Sequence, residues 1–190
     1  LNTANFIGFE NFAEIFRDKI YWRSILNVLI YTVFAVPLNI AISIGLAALL
    51  NRDLRGIKVF RALYYLPGLT SAVAACTVWL NLMNPQFGVL NTILNFFGIP
   101  DCPWLTHSRT SMMSIIIITL WMGVGGNMIV VLAAMQGLPE TLYESAQLDG
   151  ASKPRQFFSI TLPLLRPTTY FIMTMGLIGA FQLYDQVYML

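Results

Sequence analysis

Four stretches of this chain carry no charged residue and are long enough, or nearly so, to cross a bilayer, and they constrain the fold more than any other feature. Ser24 to Leu50 runs 27 residues without a charge. Ala62 to Pro100 is longer, but Asn81, Asn84-Pro85 and Gly88 interrupt its second half and leave Leu63 to Met83 as the span. Thr110 to Pro139 holds a third run and Pro167 to Tyr184 opens a fourth. A helix needs about 20 apolar residues to cross a hydrocarbon core of ~30 Å. Lipid satisfies no open backbone, so each run is expected to be helical. The competing reading, buried core helices of a soluble domain, fails on supply. The chain is 57% hydrophobic and 11% charged, with mean hydropathy +0.67, against about 25% charged in soluble domains. Too few polar residues remain to cover a water-facing surface.

These runs predict an all-α polytopic membrane protein with spans at about 24–50, 63–83, 110–135 and 167–190. An outer interfacial segment over 1–23 precedes them, and a polar loop over 136–166 separates the last two. Pro37, Pro67 and Gly123-Val124-Gly125-Gly126 are expected kinks, tolerable where neighbouring helices pack around the freed carbonyls. The chain begins at Leu1, not Met, and stops inside an apolar stretch, as expected of a piece of a longer protein.

Lysine and arginine give the orientation. The loop Asn51–Arg61 carries Arg52, Arg55, Lys58 and Arg61, and the loop Gln136–Pro167 carries Lys153, Arg155 and Arg166. With four spans both loops lie on one side and hold seven of the eleven basic residues, which makes that side cytoplasmic. Arg17, Lys19, Arg23 and Arg109 fall on the other. Phe9, Phe12, Ile15 and Phe16 are spaced for one face of a short helix on the outer leaflet, with Tyr21 and Trp22 at an interfacial belt. Asn84 to Arg109 reads as an outer loop folded partly back along the membrane.

Several chemistries find no support. A net charge of +2 suggests no nucleic-acid partner. Cys76 and Cys102 sit in unlike settings, so neither a disulfide nor a metal site is expected. No phosphate-binding G-x-x-x-x-G-K-[ST] occurs, His107 stands alone in the outer loop, and no catalytic set can be assembled. No ionisable residue lies well inside the first three spans, which argues against a proton relay. The chain is therefore expected to be no enzyme and to hold no cofactor.

The polar loop carries three acids and three bases between Gln136 and Pro167. A helix is expected from Glu140 to about Leu148, with Pro139 at its first turn and Gly150 as its stop. Tyr143, Ala146, Gln147 and Gly150 would share a face whose small residues leave room for a partner. Ser152 would cap a second helix, with Pro154 in its first turn. That helix should end near Leu162, because Pro163 and Pro167 follow. From these residues alone, an ordinary polar linker remains an alternative.

The residues Tyr143-Glu144-Ser145-Ala146-Gln147-Leu148-Asp149-Gly150-Ala151, with Phe157 and Leu162-Pro163, resemble the "EAA" loop of ABC-transporter permeases of the binding-protein-dependent importers. That pattern is roughly E-A-A, two residues, D-G-A, then Phe and L-P; Ser145 replaces the first of its two alanines. Phe6-Ile7-Gly8-Phe9-Glu10-Asn11-Phe12, Asn27, Phe60-Arg61, Tyr65-Leu66-Pro67 and Phe181-Gln182-Leu183-Tyr184-Asp185 look like the sugar-importing branch, similar to the maltose, lactose and glycerol-3-phosphate systems. The resemblance implies four helices of a six-helix inner-membrane subunit. Its loop would form the coupling helix docking into an ATP-hydrolysing subunit dimer, with Glu144, Ser145, Ala146, Asp149, Gly150, Ala151, Leu162 and Pro163 in that role. It also implies a second permease subunit and an extracytoplasmic solute-binding protein as partners. Trp79, Trp121, Asn127, Gln182, Tyr184 and Asp185 are candidate substrate-pathway residues, because aromatic faces and amides suit a neutral sugar. Asp185, about 27 Å along a span from Pro167, would sit near the outer mouth. A permease for a non-sugar solute and a membrane receptor or scaffold are the competing readings.

Overall fold

A computed structural model describes residues 8–52 and 55–190. Residues 1–7 of the expected interfacial segment, including the Phe6-Ile7 of the resemblance, lie outside the described residues. The regular elements are helical throughout the described residues: α1 Glu10–Arg17, α2 Lys19–Leu50, α3 Ile57–Leu69, α4 Ala72–Leu82, α5 Val89–Phe96, α6 Ser108–Gln136 and α7 Glu140–Leu148. Next come α8 Lys153–Gln156, a π-helical turn Phe157–Thr161, α9 Leu162–Leu164, α10 Arg166–Phe181 and α11 Asp185–Met189.

Two of these, α2 and α6, are long and apolar enough to cross a membrane. The expected second span, 63–83, is instead two helices, α3 and α4, bent by 99° at Thr70–Ser71, so it counts as a span only if the pair is one broken crossing. The cause is local. Pro67 has no N–H to give Leu63, and the Thr70 hydroxyl then takes the Pro67 carbonyl at 2.6 Å, which closes the helix end. The expected fourth span, 167–190, is shorter than proposed. Helix α10 spans 16 residues and stops at Phe181, where Gln182 N–H bonds back to Gly179 in a tightened last turn. Asp185 therefore opens a separate short helix and does not continue α10. By contrast, Pro37 and the glycines of α6 leave their helices unbroken.

Helix α6 is the axis. Helices α2, α3 and α10 all pack against it. One buried cluster joins Ile44, Ala47 and Leu50 of α2 to Met128, Val131, Leu132 and Met135 of α6, with Leu165 and Ile172. A second joins Tyr31, Ala35 and Val36 to Ala180. Outward positions are apolar but exposed, such as Phe34 at 62% and Leu49 at 60%, which is what a lipid-facing surface requires.

In lipid, helices gain little from hiding apolar surface from one another, so close backbone contact and hydrogen bonds carry the packing. Both are present along α6. A Cβ on Gly125 would fall onto the Tyr64 carbonyl oxygen of α3, and one on Gly68 would stand 3.0 Å from the Met122 carbonyl oxygen. On the α2 side, Asn127 Nδ2 donates to Asn39 Oδ1 at 2.7 Å and the Ser43 hydroxyl donates to the Val124 carbonyl at 3.2 Å.

Adjacent glycines make this packing testable. Gly125→Ala is expected to cost about 1–3 kcal/mol or more by overpacking and to lower the melting temperature of the detergent-solubilised protein. Gly126→Ala, whose Cβ would meet nothing within 4 Å, should change stability by only about 0.5 kcal/mol. Equal melting of the two variants would refute this account of the α3–α6 contact.

Candidate functional site

The segment 137–165 folds as an elbow whose parts lock one another. Helix α7 occupies Glu140–Leu148, with Pro139 just outside it at the cap position. Its end is a Schellman motif: Gly150 takes φ +76°, Gly150 N–H donates to Gln147 at 3.0 Å, and Ala151 N–H reaches back to Ala146 at 2.8 Å. An L-residue at φ +76° is strained, so the glycine is required by the bend itself. The sequence Ala146 to Ala151 is thus one hydrogen-bonded unit.

Two further ties hold the elbow. Gln156, 7% exposed, donates from Nε2 to the Ala151 carbonyl at 2.9 Å. The Tyr143 hydroxyl pairs with Thr161 Oγ1 at 2.8 Å, joining α7 to the π turn. Neither was legible beforehand, since a glutamine and a threonine in a polar loop look solvated. The expected partner-facing stripe is corrected accordingly. Tyr143 and Ala146 are half-buried and turned inward, because a tyrosine ring covers apolar surface while its hydroxyl seeks a polar mate. Gln147 and Gly150 stay exposed, and Leu148, 91% exposed, projects outward. Glu144 and Asp149 are exposed, and Ser145 satisfies its hydroxyl on Thr141 O at 2.9 Å.

The second helix does not end near Leu162 as expected. Leu162 N–H bonds five residues back to Phe157, and this wider turn gives the Pro163 ring room that an α-turn denies it. Pro163 and Pro167 each sit in the first turn of the next helical piece, where no donor is needed. Leu165 N–H to Thr161 at 3.0 Å and Thr169 N–H to Leu165 at 2.8 Å carry the bonding through into α10. Leu162 packs against the main buried cluster.

The residues put forward for a substrate path fall in three places. Trp79 of α4 and Trp121 of α6 meet edge to face, with ring centroids 5.7 Å apart at 78°. Trp79 Nε1 is buried without a hydrogen-bond partner among the described residues. Trp121 borders an apolar recess of about 520 Å³ with Tyr64, Pro67 and Gly125. Asn127 lies elsewhere, lining a cavity of about 170 Å³ between α2, α6 and α10 with Tyr31, Asn39 and Thr119. Its amide is already engaged by Asn39, so helix–helix bonding accounts for it. Gln182, Tyr184 and Asp185 are exposed at the break after α10, with Tyr184 stacked on Tyr188 at 5.5 Å. Helix α11 packs on α4 and α6.

Residues 12–190 match the family described as "Binding-protein-dependent transport system inner membrane component". Among curated relatives, the sn-glycerol-3-phosphate transport system permease protein UgpA of Yersinia pestis bv. Antiqua (strain Antiqua) is 31% identical over 182 residues, 94% of this chain and 60% of that protein. The arabinooligosaccharides transport system permease protein AraP of Halalkalibacterium halodurans is 31% identical over 187 residues, 97% of this chain and 59% of that protein. A crystal structure of a bacterial ABC transporter involved in import of the acidic polysaccharide alginate superposes with a TM-score of 0.87 at 28% identity, covering 95% of this chain and 64% of that one. The chain spans about three fifths of the length of the curated relatives it matches.

The elbow predicts its own weak point. Gln156→Leu leaves the Ala151 carbonyl without its donor, a loss of about 1 kcal/mol. Amide exchange at Gly150 and Ala151 should accelerate roughly fivefold, as read by hydrogen–deuterium exchange. Unchanged protection would show that the Schellman bonds hold the bend unaided.

Proposed function

Because the chain belongs to the family of binding-protein-dependent transport system inner membrane components, we propose that it forms the membrane-spanning part of an ATP-driven importer for a polyhydroxylated solute, a sugar or oligosaccharide foremost. The observation that carries this reading is the elbow. A preformed, internally satisfied polar bend between two apolar helices, with Leu148 bare at its tip, is built to be gripped by a soluble partner. That partner is an ATP-binding subunit dimer. Glu144, Ser145, Asp149 and Gly150 meet it, while Ala146, Ala151, Leu162 and Pro163 hold the shape it reads. Hydrolysis of ATP takes place there and not in this chain. The basic loops between α2 and α3 and between α6 and α10 then face the cytoplasm.

A second permease subunit and an extracytoplasmic solute-binding protein complete the assembly. The substrate class is supported by what similar proteins are named for: arabinooligosaccharides, alginate and sn-glycerol-3-phosphate are all polyhydroxylated. Two of the three are acidic, so the path need not be reserved for neutral solutes. Trp79 and Trp121 form an aromatic edge-to-face pair, and Trp121, at the edge of the apolar recess, suits a sugar ring's apolar face. Gln182, Tyr184 and Asp185 lie at the break after α10 and act as an outer contact; Asn127 holds α2 to α6 beside the path.

Gly150→Phe is expected to abolish uptake in proteoliposomes holding the whole transporter, while the subunit still inserts. A φ of +76° and a docked partner both exclude the ring, at roughly 1–3 kcal/mol or more. Substrate-stimulated ATP hydrolysis at the parental rate would sink the coupling assignment. Trp121→Ala should raise the half-saturation of uptake about threefold to tenfold with co-purification of the ATPase unchanged. Identical uptake kinetics would remove the tryptophan pair from the path.

A further inference from the structure

Helices α2 and α10 pack together, yet an apolar groove of about 610 Å³ opens between them and the π turn. Its one hydroxyl, that of Thr32, already donates to the Val28 carbonyl at 2.7 Å, so nothing in the lining calls for a polar occupant. A second recess of about 410 Å³ adjoins it. Phe158, Leu162 and Met173 border both, and Arg166 and Tyr170 border the second. Along α10 the bordering residues include Arg166, Tyr170, Met173 and Leu177, spaced by three or four residues and therefore on one helical face. The groove thus climbs that face from a cation in the first turn of α10 into wholly apolar surface.

Size and charge decide what fills it. From Arg166 to Leu177 the helix rises about 17 Å, close to half of a ~30 Å hydrocarbon core. The α2 wall, Thr32 to Gly45, runs about 20 Å. Spread over that length, 610 Å³ gives about a third of the cross-section of a helix ~10–12 Å across. A helix could lie over the groove but not in it, whereas a hydrocarbon chain of one leaflet fits. At the mouth, Lys153, Arg155 and Arg166 are all exposed, and no acid occurs between Asp149 and Asp185. The cytoplasmic leaflet is the anionic one, and basic pockets between helices on that side take lipid head groups. We propose that the groove holds an anionic phospholipid of the cytoplasmic leaflet. Arg166 forks onto its phosphate, Tyr170 stands at the interfacial level, and one acyl chain lies between α2 and α10 against Phe158, Met173 and Leu177. This rests on the loop between α6 and α10 facing the cytoplasm. Phe158 belongs to the π turn, so a lipid seated there braces the elbow against α2.

The test uses the whole transporter in nanodiscs of phosphatidylcholine and phosphatidylglycerol, the latter carrying a diazirine on one acyl chain. Photolysis is expected to place the label on the residues of α2 and α10 that border the groove. Native mass spectrometry after detergent extraction should show phosphatidylglycerol retained in preference to phosphatidylcholine. Arg166→Gln should cut that preference about fivefold. Ala41→Trp, which fills the groove from an exposed position, should abolish the label with ATPase co-purification unchanged. Equal retention of the two lipids by the parental chain would overturn the site. So would a label spread evenly over outward residues such as Phe34 and Leu49. Efficient cross-linking of Met173→Cys to a second permease subunit would make the groove a seam between proteins and overturn it too. Labelling of Lys153→Cys by an impermeant thiol reagent from outside the cell would overturn the orientation, and with it the choice of leaflet, by a measurement independent of lipid retention.

Discussion

Backbone against backbone, with nothing larger than hydrogen between, is the contact on which the rest of this structure hangs. Helix α6 presents Gly125 to the Tyr64 carbonyl on one flank and Gly123 to the Asn39 side chain on the other, where a Cβ would stand 3.0 Å from Asn39 Nδ2. Lipid removes the usual reward for burying leucine against leucine, so helices hold together where they come close enough for dispersion and for polar bonds undiluted by water. The Asn39–Asn127 pair and the Ser43–Val124 bond then fix the register of α2 on α6. With that seam set, α10 closes on both helices, as Gly176 seating against Val36 Cγ1 illustrates.

The sequence showed the polar loop better than the spans around it. Helix α7 was legible to its ends, because an N-terminal proline, an acid in the first turn and a following glycine each act through local backbone chemistry. The second apolar run was read as one span with a kink at Pro67, whereas two helices meet there at 99°: hydropathy counts side chains and does not register how far a missing N–H at Pro67 and a threonine hydroxyl on its carbonyl can turn the chain. The prolines at 163 and 167 misled in the opposite sense. The rule that a helix stops before proline assumes α-geometry, and a π turn suspends it. Of the candidate pathway residues, Trp79 and Trp121 were grouped by type and prove to touch, whereas Asn127 was grouped by polarity and faces a different cavity. Gln156 and the Tyr143–Thr161 pair depend on partners five and eighteen residues apart, which no periodicity announces.

The elbow and the bundle it interrupts differ in how they are made firm. In the bundle, firmness comes from close approach along whole helix faces at glycines, pinned by the Asn39–Asn127 and Ser43–Val124 bonds. In the elbow it comes from a few directional bonds: the Schellman pair, the Gln156 amide on Ala151, and the tyrosine on Thr161. Such a device suits a part that must keep its shape in water, because hydrogen bonds define angles where apolar contacts only define distances.

The π turn at Phe157–Thr161 has a consequence for how this loop can vary. It holds one residue more than an α-helical path would need, and it stands between a segment that must bend correctly and a helix that must face correctly. Each residue of an α-helix advances the azimuth by about 100°. Deleting one residue there would close the π turn, crowd the Pro163 ring against the preceding turn and rotate all of α10 by that angle. Ile172 and Ala180 would swing out of their buried clusters and Gly176 away from Val36. Chain length through the elbow is therefore quantised: it sets the rotational phase between what is held outside the membrane and what is packed within it.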